Sequence, residues 1–345
     1  MGLARAQQAL PAGGREAVAP LGFAIVGCGL IGGKRLRALG EHRLVAAVDV
    51  DEARAQGLAR QRPGAIPLTD WEKAVRCADV DCVIVSTTHD QLARVTLAAV
   101  EAGKHVLVEK PVARSLAEIE PVIAAAERQG VRVQAGFNHR FHPGFLKARE
   151  LVDAGDLGPL MFIRARYGHG GRAGYHREWR ADPKISGGGE LLDQGMHLID
   201  LARWFAGDFT AVDGSLHTYF WDMPVEDNAF LHLKTARGQV AWLHASWTEW
   251  KNTFSFELFY RDAKLHVEGL GGSYGVERLS CYRMRPEMGP PETSIWEYPG
   301  EDRSWDLEFE AFVRSIREGR DPAVTLKDAA AALEIVGRVS GVSKA

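Results

Sequence analysis

From Leu21 onward, short continuous apolar runs alternate with segments of helical character. FAIVGCG (from Phe23), RLVAAVDV (from Arg43), DCVIVST (from Asp81), HVLVEK (from His105) and VRVQAGF (from Val131) read as buried strands. Between them, the Ala- and Arg-rich segment from Glu52, QLARVTLAAVEAG and SLAEIEPVIAAAERQG read as helices. Strands that are apolar throughout, alternating with helices, predict a parallel sheet covered on both faces. Right-handed crossovers then make residues 21–140 a doubly wound α/β domain.

Past Pro143 the rhythm changes. KARELVDAGDLG predicts a helix ending near Gly155, LMFIRARYG a strand, and SGGGELLDQGMHLIDLARWFAG a glycine cluster leading into a helix. Long strand-like runs follow: AVDGSLHTYF, NAFLHLK, QVAWLHASW, FSFELFY and KLHVEGL, with an ARG turn making the first hairpin. By the two-residue period Phe254, Phe256, Leu258 and Tyr260 share one face. Residues 141–345 are thus expected to form an α+β domain with a large, mostly antiparallel open sheet, ending in the helices DLEFEAFVRSIREG and LKDAAAALEIVGRVS. The second face of that sheet is rich in aromatic and apolar residues, which predicts a homodimer or homotetramer formed through it.

Composition narrows the setting. Charged residues at 25% and hydrophobic ones at 46% are ordinary for globular chains, and 345 residues suffice for two cores. A net charge of -3 gives no reason to expect nucleic acid or an anionic membrane as partner. No apolar run approaches the roughly 20 residues needed to span a bilayer. Residues 1–20 lack the apolar core of a signal peptide and carry Ala6 where myristoylation favours Ser or Thr, so they read as a mobile tail. Cys28, Cys77, Cys82 and Cys281 form no CxxC pair and suggest no disulfide framework. A reduced, cytoplasmic setting is the expectation.

Chemistry enters at Gly27-Cys28-Gly29-Leu30-Ile31-Gly32, a GxGxxG directly after a strand and at the start of a helix. Its glycines allow a tight turn, and its backbone N–H groups, with the helix N-terminus, suit a pyrophosphate. The next strand ends in Asp49, about 20 residues on, where a carboxylate accepts from the adenosine ribose hydroxyls and repels a 2′-phosphate. This is the Rossmann fingerprint, and it favours NAD over NADP. Lys34, Arg35 and Arg37 follow the glycine loop and read as a solvated helix face, against the alternative that they assist the phosphates. Thr87 and His89, in Ser-Thr-Thr-His after a strand, are placed where a nicotinamide cofactor would pass.

At the reacting end, Glu109-Lys110-Pro111 closes the strand HVLVEK, and carboxyl ends of parallel strands face the ligand crevice. An ammonium there can hydrogen-bond a substrate hydroxyl. Asp193 and His197, four apart, would share one face of a predicted helix, about 6 Å apart along its axis. Spacing alone leaves them an ordinary surface pair; as a site, the histidine accepts an alcohol proton and the carboxylate orients it. His139 and His142 are three apart without a complete metal set, and no zinc spacing occurs, so no metal is expected. In RARYGHGGRAGYHREWR (164–180), Arg172, Tyr175, His176, Trp179 and Arg180 are candidates for a substrate wall, against the alternative of a basic solvated loop. Asn138 and Arg140 are candidates to reach the same pocket.

Together FAIVGCGLIG, AAVDVD, EAGKHVLVEKPVA, AGFNHRFHP, GGGELLDQGMHLIDLARWF and EFEAFVRSIREGRDPAV resemble the Gfo/Idh/MocA oxidoreductase family, from Leu21 to the C-terminus. The resemblance implies catalytic positions for Lys110, Asp193 and His197, with His197 as acid/base, Asp193 orienting it or binding a hydroxyl, and Lys110 bridging nicotinamide and substrate. It implies hydride transfer between NAD and a sugar, cyclitol or sugar derivative. Two alternatives are carried: an NAD-retaining glycoside hydrolase acting by oxidation and elimination, which would cleave glycosides without net NADH, and a non-catalytic NAD sensor. One departure stands out: where the family often reads ATPNHLH, this chain reads STTHDQL, which puts the role of His89 in doubt.

Overall fold

The structure is a computed structural model and describes residues 19–341. The tail expected over residues 1–20 therefore lies, up to residue 18, outside the described residues. The first domain runs β1 (Gly22–Val26), α1 (Leu30–Ala38), β2 (Arg43–Val48), α2 (Glu52–Ala59), β3 (Ile66–Leu68), α3 (Trp71–Val75), β4 (Cys82–Val85), α4 (His89–Glu101), β5 (His105–Glu109), α5 (Leu116–Gln129) and β6 (Val133–Gly136). Its six parallel strands lie in the order β3-β2-β1-β4-β5-β6. This is the doubly wound order, with its reversal between β1 and β4, where the crevice for a ligand opens. All of β1 and β4 is buried, as a two-faced parallel sheet requires. The edge strand β3 was absent from the sequence reading; three residues, one of them Pro67, carry no usable period.

After a 3₁₀ turn at Asn138–Phe141 come α6 (Pro143–Asp153), β7 (Leu160–Gly168), α7 (Pro183–Ser186), a π turn at Leu191–Gly195 and α8 (Met196–Ala206). They are followed by β8 (Phe209–His217), β9 (Asn228–Thr235), β10 (Val240–Ser246), β11 (Thr253–Tyr260), β12 (Ala263–Glu268), β13 (Glu277–Arg283) and β14 (Glu292–Tyr298), then α9 (Ser304–Arg317) and α10 (Leu326–Val339). The eight strands order β14-β13-β12-β11-β7-β10-β9-β8. Every pairing is antiparallel except β7 with β10. Phe254, Phe256, Leu258 and Tyr260 do share a face, and it is the buried one. The opposite face carries Phe162 stacked on Phe259 at 4.2 Å, and also Arg164 and Lys264 bonded to Glu257.

The last two helices return to the first domain. On α9, Phe309, Phe312 and Val313 pack with Phe23, Ile25, Leu36 and Leu39 in one apolar cluster. The start of α10 is fixed by a reciprocal cap between Thr325 and Asp328. Among the described residues no helix is long and apolar enough to cross a membrane.

Candidate active site

A crevice of about 760 Å³ runs from the glycine turn to the second sheet. Its cofactor end follows from backbone sterics. Gly27 sits at φ +98, and a Cβ there would meet the Ser86 carbonyl oxygen at 2.3 Å; a Cβ on Gly32 would meet the Gly27 carbonyl oxygen at 2.1 Å. These glycines let β1, the turn and α1 close on one another, whereas a Cβ on Gly29 would point into open space. Gly27, Gly29, Leu30 and Ile31 line the crevice; Gly32 is a packing position behind it. Asp49 also lines it, and its carboxylate accepts from the N–H of Cys28 at 2.8 Å and of Asp51 at 3.0 Å. Thr87, His89, Glu109, Lys110 and Asn138 lie along the same wall. The donor set and the glycine cradle fit a dinucleotide.

At the other end Lys110, Asp193 and His197 come together, although Lys110 and Asp193 are 83 residues apart in the chain. Just beyond Lys110, Val112 is buried at φ +73, a conformation costing about 1–3 kcal/mol for a β-branched residue. Surrounding packing must hold the strand end in place. Lys110 Nζ bonds the Asp193 carboxylate and, at 2.8 Å, its carbonyl oxygen; Arg180 Nε donates to the other carboxylate oxygen at 3.1 Å. Burial works to raise the Asp193 pKa, but the two cations outweigh it and hold the group well below the usual carboxylate range.

The sequence expectation for this pair needs correction. Asp193 and His197 are not on one regular helix, because Asp193 lies in the π turn and His197 in the first turn of α8. Nor does the carboxylate bond the imidazole, since Lys110 and Arg180 occupy it. His197 instead stacks on His139, with centroids 3.7 Å apart. Burial, then Lys110, pushes His197 far below the ordinary histidine value, so it is neutral at neutral pH. The same causes take His89 down to about 4; its Nδ1 lies 2.8 Å from the Ser186 carbonyl oxygen and its ring meets Trp179 edge-on.

Arg172, Tyr175, Trp179 and Arg180 line the crevice, but two proposed substrate residues do not. Arg140 is buried against Asp200 and Asp328, which neutralise it, and it does not line the crevice. His176 faces outward and stacks on Trp221. The solvated face expected after the glycine turn is corrected in part: Arg37 is exposed, but Lys34 lines the crevice, and Arg35 is fully buried between Glu109 and Glu308, 2.6 Å from each. Sequence reasoning missed His139, Tyr167, His169, Gln194, Tyr274, Asp302 and Trp305 as lining residues. His139, in AGFNHRFHP, and Tyr167 and His169, in the 164–180 segment, left a visible signal.

Comparison with known proteins now decides the family. Residues 21–137 match the model described as oxidoreductase family, NAD-binding Rossmann fold, and residues 145–273 match the GFO/IDH/MocA C-terminal domain. The chain belongs to the Gfo/Idh/MocA oxidoreductase family. Within it, inositol 2-dehydrogenase 2 of Saccharopolyspora erythraea is 31% identical over 227 residues, 63% of this chain and 64% of that protein. Levoglucosan dehydrogenase of Pseudarthrobacter phenanthrenivorans is 31% identical over 172 residues, 49% of this chain and 44% of that protein. The chain thus spans roughly half to just under two thirds of the length of these curated relatives. The crystal structure of an oxidoreductase domain protein from Kribbella flavida has a TM-score of 0.83 at 25% identity, covering 94% of this chain and 97% of that one.

Proposed function

We propose that this family member moves hydride between NAD and a carbinol carbon of a small polyhydroxy compound, a sugar or cyclitol. The observation that carries the reading is the meeting of Lys110, Asp193 and His197 at the far end of a crevice that begins at the glycine turn. The relatives' names, inositol and levoglucosan dehydrogenases, support the substrate class. When bound, the nicotinamide supplies the hydride acceptor. His197, neutral and buried, takes the hydroxyl proton as the C–H electron pair leaves and the C–O bond becomes a carbonyl. Lys110 donates to the same oxygen, and the ionised Asp193 keeps its ammonium aimed there. Arg172 and Trp179 supply a donor and an apolar wall, and Asp49 receives the ribose hydroxyls. The mixed aromatic and charged outer face of the second sheet supports a homodimer or homotetramer, which light scattering would size.

The test is a panel of inositols, sugars and sugar acids with NAD, read as NADH absorbance. His197→Ala is expected to lower turnover by roughly 10²–10⁴-fold on the best substrate. Near-normal turnover would remove His197 from the mechanism. Since burial and Lys110 lower its pKa, the acidic limb of kcat/KM for oxidation belongs below pH 6.5, the ordinary value. Asp49→Ser should erode the preference for NAD over NADP, and an unchanged preference would refute the ribose assignment.

A further inference from the structure

Asp302, in the loop before α9, accepts from Ser304 Oγ at 2.6 Å and from Trp305 Nε1 at 3.0 Å. With its hydroxyl proton committed to that carboxylate, Ser304 Oγ accepts from Asn138 Nδ2, 2.8 Å away. The amide orientation follows: reversing it would leave two acceptors facing one hydroxyl proton. Asn138 Oδ1 then lies 3.1 Å from His139 Nδ1. An amide oxygen cannot donate, so His139 carries its proton on Nδ1. Asn138 and His139 are buried, Ser304 fully, so water has little access to these bonds.

His139 lies nearly parallel to His197, their planes 22° apart, while Phe137 meets His197 edge-on at 87°. His197 lacks the usual hold on an acid/base imidazole, a carboxylate on Nδ1 that fixes ring and tautomer. Its Nδ1 is buried and has no hydrogen-bond partner among the described residues. Asp193 is engaged by Lys110 and Arg180. The stack takes over the orienting task.

We propose that His139 is a positioning residue for His197, held in one orientation and tautomer by the chain Asp302–Ser304–Asn138 and passing that order on through the stacked rings. The role in turnover rests on the acid/base reading of His197; the chain and the stack do not. The groups around the His197 ring are Lys110 at the end of β5, Asp193 on the π turn, His139 and His142 after β6, and Tyr167 on β7. Of these, Lys110 and His142 disfavour a proton on His197 and Asp193 favours one. Removing His139 opens the ring to water and relieves part of its burial.

The experiment is histidine side-chain NMR on the full chain labelled with ¹⁵N-histidine, which needs no substrate. His139 should report the Nδ1–H tautomer, and Ser304→Ala should turn it into a tautomer mixture. His139→Ala should raise the His197 titration midpoint by about one pH unit, and His139→Phe, which can still stack, should restore most of the original ring shift. An Nε2–H tautomer at His139, a Ser304→Ala spectrum identical to wild type, or an unmoved His197 midpoint in His139→Ala would each overturn the proposal. Should His139→Ala fail to fold, Ser304→Ala and His139→Phe still decide it. Turnover of His197→Ala tests the acid/base reading separately, so the two can fail independently.

Discussion

Glu109 and Lys110 are consecutive on one strand end, yet they enter buried charge clusters of opposite balance. Lys110 joins Arg180 on the single carboxylate of Asp193, at the crevice and partly reached by water. Glu109, on the crevice wall, joins Glu308 on the single guanidinium of Arg35, and behind that wall Arg35 and Glu308 are fully buried. The front cluster has a surplus of positive charge, which adds to burial in keeping His89 and His197 neutral. The rear one has a surplus of negative charge, and burial, with Glu109 adding to it, pushes Glu308 up to about 7. On the proposed function, the same ingredients serve chemistry where the cluster opens on the crevice and cohesion where it ties α9 to the first sheet. If so, substitutions in front should change turnover and substitutions behind should change stability.

The sharpest test is Arg35→Met. It strands two buried carboxylates and should cost about 3–5 kcal/mol of stability in urea unfolding, with NAD binding surviving in the folded fraction. A loss under about 1 kcal/mol would mean that the rear cluster is not what holds α9. Next comes Lys110→Met, expected to lower kcat by about 10²–10³-fold, the scale of losing one oriented donor at the reacting oxygen. A larger fall in stability than for Arg35→Met would erase the contrast.

What could be read beforehand follows the same division. The Rossmann strands, the glycine turn and Asp49 obey local rules of period and backbone sterics, so they were visible as strings. Lys110 and Asp49 were legible because strand ends at the carboxyl edge face a ligand. Arg35 was misread because nothing near it in the chain reveals Glu109, 74 positions away, or Glu308. Arg140 was misassigned for the same reason: its partner Asp200 is 60 positions away. Between Asp193 and His197 a spacing of four implied an ordinary helix pair, and only coordinates reveal the π turn. β14 escaped because this edge strand is largely exposed, and β13 because Glu277, Arg278, Ser280 and Arg283 interrupt its apolar pattern although most of it is buried.

A third test uses pH. The folded pKa of Glu308, about 7, lies above the ordinary 4.5, so the folded state binds more protons than the unfolded one between those values. The stabilisation is complete below pH 4.5 and fades as pH rises through about 7. Glu308→Gln, always uncharged, should flatten this decline, by on the order of 1–3 kcal/mol across the window. Parallel Tm-against-pH curves for the two proteins would show that Glu308 is ionised throughout.

The smallest effect is expected at the rim, where Arg172 Nη2 meets Glu178 Oε2 at 2.6 Å. That is the separation between Arg35 and Glu308, so distance alone would rank the two pairs as equals. Solvent separates them: the Arg172 side chain is 65% exposed, and both rear partners are 0% exposed. In water the lost ion pair is largely replaced by hydration, and exposed pairs are worth about 0.2–1 kcal/mol. Glu178→Gln should therefore leave urea stability within about 1 kcal/mol of wild type while freeing Arg172 to change KM a few-fold. If that substitution destabilises as much as Arg35→Met, burial is not what distinguishes the clusters, and the division between a reactive front and a cohesive rear fails.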